Sequence, residues 1–140
     1  MSLELAVYIL TALAAVVVVL TRLRLRKESA AGESQVPRAV LNGHTLFGVL
    51  GLAAWITYLV APEDSPAGRP EVGLGGLACL WIVVVCGVLI LLRWLPSHGR
   101  HVSPRAEDSW SDGPGLSVLA HLGMVAGVSV LTIVYAFGAI

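Results

Sequence analysis

Apolar runs of nearly uniform length, separated by short polar stretches, set the first expectation. Apolar residues dominate positions of roughly 3–21, 39–60, 73–95 and 115–138. Each run approaches or exceeds the about 20 helical residues needed to cross a hydrocarbon core. In lipid the backbone must bond to itself, so four such runs predict four spanning helices. The expected fold is all-α, an integral membrane four-helix bundle forming a single domain over residues 1–140. The lipid bilayer is its first partner.

Composition agrees with this pattern. The chain is 56% hydrophobic and 13% charged with a mean hydropathy of +0.83, which excludes an ordinary soluble domain. The first run has no basic stretch ahead of it and ends in TRLRLRK without a small-residue cleavage pattern. It is therefore read as a retained helix and not as a signal peptide.

Charge placement predicts an orientation. Of nine Lys and Arg, Arg22, Arg24, Arg26, Lys27 and Arg38 lie in or beside the first connection, and Arg93, Arg100 and Arg105 in or beside the third. Only Arg69 lies in the second. The positive-inside rule then places loops 22–38 and 96–114 in the cytoplasm and both termini on the outer side, in what is expected to be a bacterial plasma membrane. The second connection, APEDSPAGRPEVG, is short and proline-rich and predicts a stiff exterior turn. With no separate domain, any function must reside among the helices, at their ends, or on surfaces offered to other membrane subunits.

The two halves repeat a pattern. HTLFGVLGLAAWITY starts at His44 and ends at Tyr58; HLGMVAGVSVLTIVY starts at His121 and ends at Tyr135. Each tyrosine follows its histidine by fourteen residues. The reading is of two helix-pair repeats, related by an axis along the membrane normal, with both imidazoles at matching depth. His44, Gly48, Gly51, Trp55 and Tyr58 share one helical stripe, and His121, Val125, Val128, Thr132 and Tyr135 share the other. Gly123 and Gly127, rotated off that stripe, form a GxxxG pair whose simplest use is close helix packing.

An imidazole in hydrocarbon is costly unless it is paired, coordinated or open to water. For either histidine alone, snorkelling or an interhelical hydrogen bond is as good an account as a ligand role. Two at one depth on parallel helices favour a shared site. Axial ligation of a haem b iron by His44 and His121 would satisfy both rings while the macrocycle fills apolar space. Gly48 and Gly51 would make room for the porphyrin. Arg38 and Arg93, with Arg22, Arg24 or Arg100, would pair with its propionates.

On these features, HTLFG and HLGMVAG with paired histidines near one face of four helices, the chain resembles the small membrane-embedded b-type cytochromes. The resemblance implies electron transfer. Family members that carry electrons across the bilayer hold two haems on four histidines; two intramembrane histidines here imply one haem, exchanging electrons with a quinone or a larger respiratory-type complex. The alternative class is a haem-free accessory or assembly subunit packed against other membrane subunits. The sequence leaves enzymatic activity open and favours a non-catalytic subunit of either class; nucleic acid is not an expected partner.

Other candidates are weaker. His98 and His101 in SHGRH have metal-compatible spacing but no clear third ligand close by in sequence. Glu107, Asp108 and Asp112 show no metal-loop spacing. Cys79 and Cys86, seven apart on one helix face, read as small packing residues. GLGG at 73–76 follows no strand and reads as a closely packed helix start, not a phosphate loop. Trp94 and Trp110 read as interfacial anchors, and Trp55 and Tyr58 as core packing or the wall of a quinone pocket. Within the spans the sequence shows no carboxylate apart from Glu4 near the outer edge, and no paired nucleophile and base. These absences argue against a proton-coupled exporter and an embedded hydrolase.

Overall fold

The structure, a computed structural model, describes residues 2–30, 37–94 and 114–139, with the side chains of 24–30, 38, 93–94 and 114–117 outside the description. Among the described residues it is all-helical: α1 (Leu3–Ala30), α2 (Arg38–Val60), a 3-10 turn (Pro66–Gly68), α3 (Pro70–Trp94) and α4 (Pro114–Ala136). All four α-helices are long and apolar enough to cross a membrane.

Prolines mark several boundaries. Pro70 and Pro114 open α3 and α4, where the ring's fixed φ suits the first turn and the missing N–H is no loss. Pro37 caps α2 with an extended backbone, and its carbonyl accepts from the amides of Val40 and Leu41 at 3.0 and 3.2 Å. Between α2 and α3, Ser65 Oγ donates to the Pro62 carbonyl at 2.7 Å and accepts from the Gly68 amide at 3.1 Å. The expected short turn is thus closed by its own hydrogen bonds. The third connection lies outside the described residues.

The helices follow one another round a ring: α2 packs most extensively on α3, α1 borders α2 and α4, and α3 borders α4. Successive helices run antiparallel. Gly43 neighbours Cys86 and Gly51 neighbours Gly76, so residue numbers rise along α2 as they fall along α3.

The core contains Val7, Trp55, Leu80, Val128 and Leu131, all at most 2% exposed, with Val18, Leu77, Val83 and Met124 in the same buried cluster. Many large apolar side chains face outward, among them Leu13, Leu20, Leu46, Val60 and Leu122. Water would penalise that exterior, whereas hydrocarbon accepts it. Apolar surface on both sides of the helices is what a bilayer-embedded bundle requires.

Two indole–hydroxyl hydrogen bonds tie neighbouring helices. Trp55 on α2 donates to Thr11 Oγ1 on α1 at 3.1 Å, and Trp81 on α3 donates to Thr132 Oγ1 on α4 at the same distance. Each threonine donates in turn to the carbonyl four residues earlier, Val7 or Val128. Trp55 is fully buried and Trp81 is 37% exposed, so the two should respond differently to the same change. Trp55→Phe is expected to cost about 1–3 kcal/mol from the lost bond and the volume removed from a packed interior. Trp81→Phe should cost near the membrane average for an interhelical hydrogen bond, about 0.6 kcal/mol. Equilibrium unfolding in detergent micelles measures both, and equal losses would contradict this difference.

Candidate two-histidine site

His44 is the seventh residue of α2 and His121 the eighth of α4, each about two turns in. Both helices start at the end of the bundle where α3 finishes, so the rings approach the last third of α3 from two sides. Their meeting point is Gly87. A Cβ built on Gly87 would stand 2.9 Å from His121 Cδ2, 3.4 Å from His121 Nε2 and 3.9 Å from His44 Nε2. Two ring nitrogens within 4 Å of one point are less than 8 Å apart. The imidazoles therefore converge at one level, with their Nε2 edges against bare α3 backbone.

The setting is apolar. His44 is buried at 4% exposure, and His121 is half-buried. Leu41, Val84 and Met124, each buried, lie one helical turn from His44, Gly87 and His121 respectively. Next to His44, the Thr45 hydroxyl donates back to the Leu41 carbonyl at 3.0 Å. That bond occupies the hydroxyl on its own helix.

The other residues assigned to the site from sequence are placed differently. Gly48 faces α1: a Cβ there would meet the Val18 methyls at 3.0 and 3.1 Å. Gly51 faces α3, where a Cβ would meet Cys79 Cβ at 3.0 Å and the Gly76 carbonyl oxygen at 3.2 Å. Neither is brought to the imidazole pair; both let helices approach closely. The side chains of Arg38, Arg93 and Trp94 lie outside the described residues, as do His98, His101, Glu107, Asp108, Trp110 and Asp112. Arg22 is half-buried on α1.

Gly123 of the GxxxG pair has nothing within 4 Å of its Cβ position, and Gly127 meets only Leu10 Cδ2 at 3.7 Å. The close helix contact inside this chain is made by Gly51 and Gly76 instead. Gly123→Ala and Gly75→Ala enter open space, and alanine in a helix gains about 0.5–1 kcal/mol over glycine. Both variants are expected to be at least as stable as the parent in thermal melts in micelles. A clear loss in either would reveal a partner on that face.

Fourteen residues along from the histidines, about 21 Å at the helical rise, the same helices meet again. Tyr58 and Tyr135 pack edge-to-face with centroids 5.7 Å apart, and Trp55 lies 5.7 and 6.3 Å from them. A Cβ on Gly73 would stand 2.9 Å from each tyrosine ring. The Tyr135 hydroxyl donates to the Pro70 carbonyl at 2.6 Å. Gly87 thus plays beside the histidines the part that Gly73 plays beside the tyrosines. Neither glycine was singled out for a ring contact from sequence, although their fourteen-residue separation matches that of His44 from Tyr58 and of His121 from Tyr135.

Cys79 and Cys86 are free and half-buried; Cys79 Cβ packs against Gly51, and Cys86 Sγ lies 3.9 Å from the Cβ position of Gly43. Among the described residues, no group of three or more His, Cys, Asp or Glu side chains is placed to hold a metal ion. The sequence matches no family model, and no curated protein or solved structure is significantly similar to it.

Proposed function

We propose that this protein is a membrane-embedded electron carrier that binds one haem b, with His44 and His121 as its axial ligands. The observation that carries the reading is the convergence of both Nε2 atoms on Gly87. Among the described residues the two imidazoles have no third protein ligand, and two alone make a poor site for a bare metal ion, which wants three or four side chains. They suit a metal that arrives with its equatorial positions filled by a macrocycle. The buried apolar residues one turn away, Leu41, Val84 and Met124, favour the same kind of group.

Haem b, when bound, supplies one-electron chemistry. The chain's own part is to hold the two imidazoles in an apolar setting with their nitrogens converging. Arg22, Arg38 and Arg93, near the same end of the bundle, would pair with the propionates. In this reading the halves are repeats, loops 22–38 and 96–114 face the cytoplasm and both termini lie outside, supported by the distribution of Lys and Arg. The electron partner is a quinone or another membrane subunit.

Expression with haem supplied, followed by purification in detergent, tests this directly. The expected product is red, carries one haem b per chain by pyridine haemochrome assay, and shows a low-spin spectrum reducible by dithionite. A folded, colourless product would overturn the proposal and put the haem-free accessory subunit in its place.

A further inference from the structure

We propose that the basic end of α1 is a docking surface for anionic phospholipids, with Arg22, Arg24, Arg26 and Lys27 forming a collar of cations at the level of the lipid phosphates. The proposal does not depend on the haem reading of His44 and His121.

The depth of the collar follows from the length of the helix. The apolar span of α1, Leu3–Leu23, has 21 residues, about 32 Å at the helical rise against a hydrocarbon core of about 30 Å. The helix does not stop there, but continues unbroken to Ala30. Arg22 to Lys27 covers about 7.5 Å of its axis, close to the depth of one headgroup layer, about 5–7.5 Å. A loop would let these residues range into water; a helix keeps their backbone in the layer where the phosphates are.

Their arrangement round the axis selects the occupant. At about 100° per residue, Arg22 and Arg26 share a side, Arg24 lies on the opposite one and Lys27 between them. Cations on every side suit lipids, which surround a helix, better than a partner that approaches from one direction. Glu28 is the only carboxylate between 22 and 30, so the collar keeps a net positive charge.

The end of α1 is also open to lipid. Val16, Val19, Leu20 and Leu23 are each more than half exposed, and Arg22 is half-buried. At the opposite end of the bundle the charge is reversed, with Glu4, Glu63, Asp64 and Glu71 against Arg69 among the described residues. The two ends therefore offer a comparison within one molecule. Each Lys or Arg close to an anionic surface is worth about fivefold in affinity.

The test uses the full chain reconstituted into bilayers of symmetrical composition, where the direction of insertion does not affect the reading. Electron paramagnetic resonance of spin-labelled phosphatidylglycerol and phosphatidylcholine gives the relative affinity of the two lipids for the protein. Wild type should prefer phosphatidylglycerol by at least about fivefold, and about 1 M salt should weaken that preference. Arg24→Gln/Arg26→Gln/Lys27→Gln should bring it close to one, whereas Arg69→Gln should leave it as in wild type.

Equal affinity of wild type for both lipids overturns the proposal, as does a preference that survives the triple substitution or is lost equally in Arg69→Gln. Should the triple variant fail to fold, Arg26→Gln alone decides the matter, because a preference unchanged from wild type overturns the collar. None of these readouts involves haem, so failure here leaves the reading of the histidines standing.

Discussion

His44→Ala is expected to lose the haem spectrum of the proposed cofactor, and His121→Ala to lose it equally. Each substitution would remove one of the two proposed axial ligands, and the neighbouring hydroxyl of Thr45 is committed to the Leu41 carbonyl. Residues that merely orient metal ligands are worth about 10–100-fold in affinity, so loss of a ligand itself should exceed about 100-fold. The protein should still fold. His44 is a polar group buried at 4% exposure, and replacing it with a small apolar residue removes a desolvation cost along with some packing. Haem content per chain, read together with helix content, separates ligand loss from unfolding. If either alanine variant kept stoichiometric haem with a low-spin spectrum, that histidine would not be an axial ligand.

The second large effect concerns assembly. A Cβ on Gly76 would stand 2.8 Å from the Trp55 amide nitrogen, 3.1 Å from Trp55 Cα and 3.2 Å from the Gly51 carbonyl oxygen. All three are backbone atoms of α2, so no rotamer change relieves the clash and the whole helix must retreat. Moving α2 disturbs Trp55, which is fully buried and bonded to Thr11 on α1. Gly76→Ala is therefore expected to cost about 3 kcal/mol, the upper end of ordinary overpacking and well above the gain in helix propensity. Gly76→Val should prevent the bundle from assembling. Unfolding in micelles, compared with the neutral outcome expected for Gly123→Ala, provides the measurement. Wild-type stability for Gly76→Ala would mean that α2 and α3 do not meet there.

These two sites also show what the sequence could and could not reveal. The spans were legible because a bilayer demands about 20 apolar residues whatever the tertiary contacts are. Helix ends were less so. α1 continues to Ala30, beyond the apolar run, because Leu, Arg, Lys, Glu and Ala favour helix after the hydrophobic pattern stops. α3 starts at Pro70, before the expected 73, since proline suits a first turn.

The histidine pair could be seen as a repeat, but Gly87 could not be joined to it by periodicity. Its role depends on the rotation of α3, which carries no histidine. Gly48 and Gly51 illustrate the converse: they share a helical stripe with His44, yet one faces α1 and the other α3, because α2 meets both along its length. A stripe wide enough to serve two neighbours does not say which residue faces which. The GxxxG pair makes no close helix contact among the described residues for a related reason, because spacing gives two glycines a common face without fixing what covers it.

The two indole–hydroxyl bonds divide the molecule in a way that the candidate site does not respect. One joins α1 to α2 and the other joins α3 to α4, so each hairpin carries a latch of its own. His44 belongs to the first hairpin, while Gly87 and His121 belong to the second. Neither hairpin owns the site. Ligand binding would therefore act as a clasp between two separately fastened halves, and its colour would report the moment they dock.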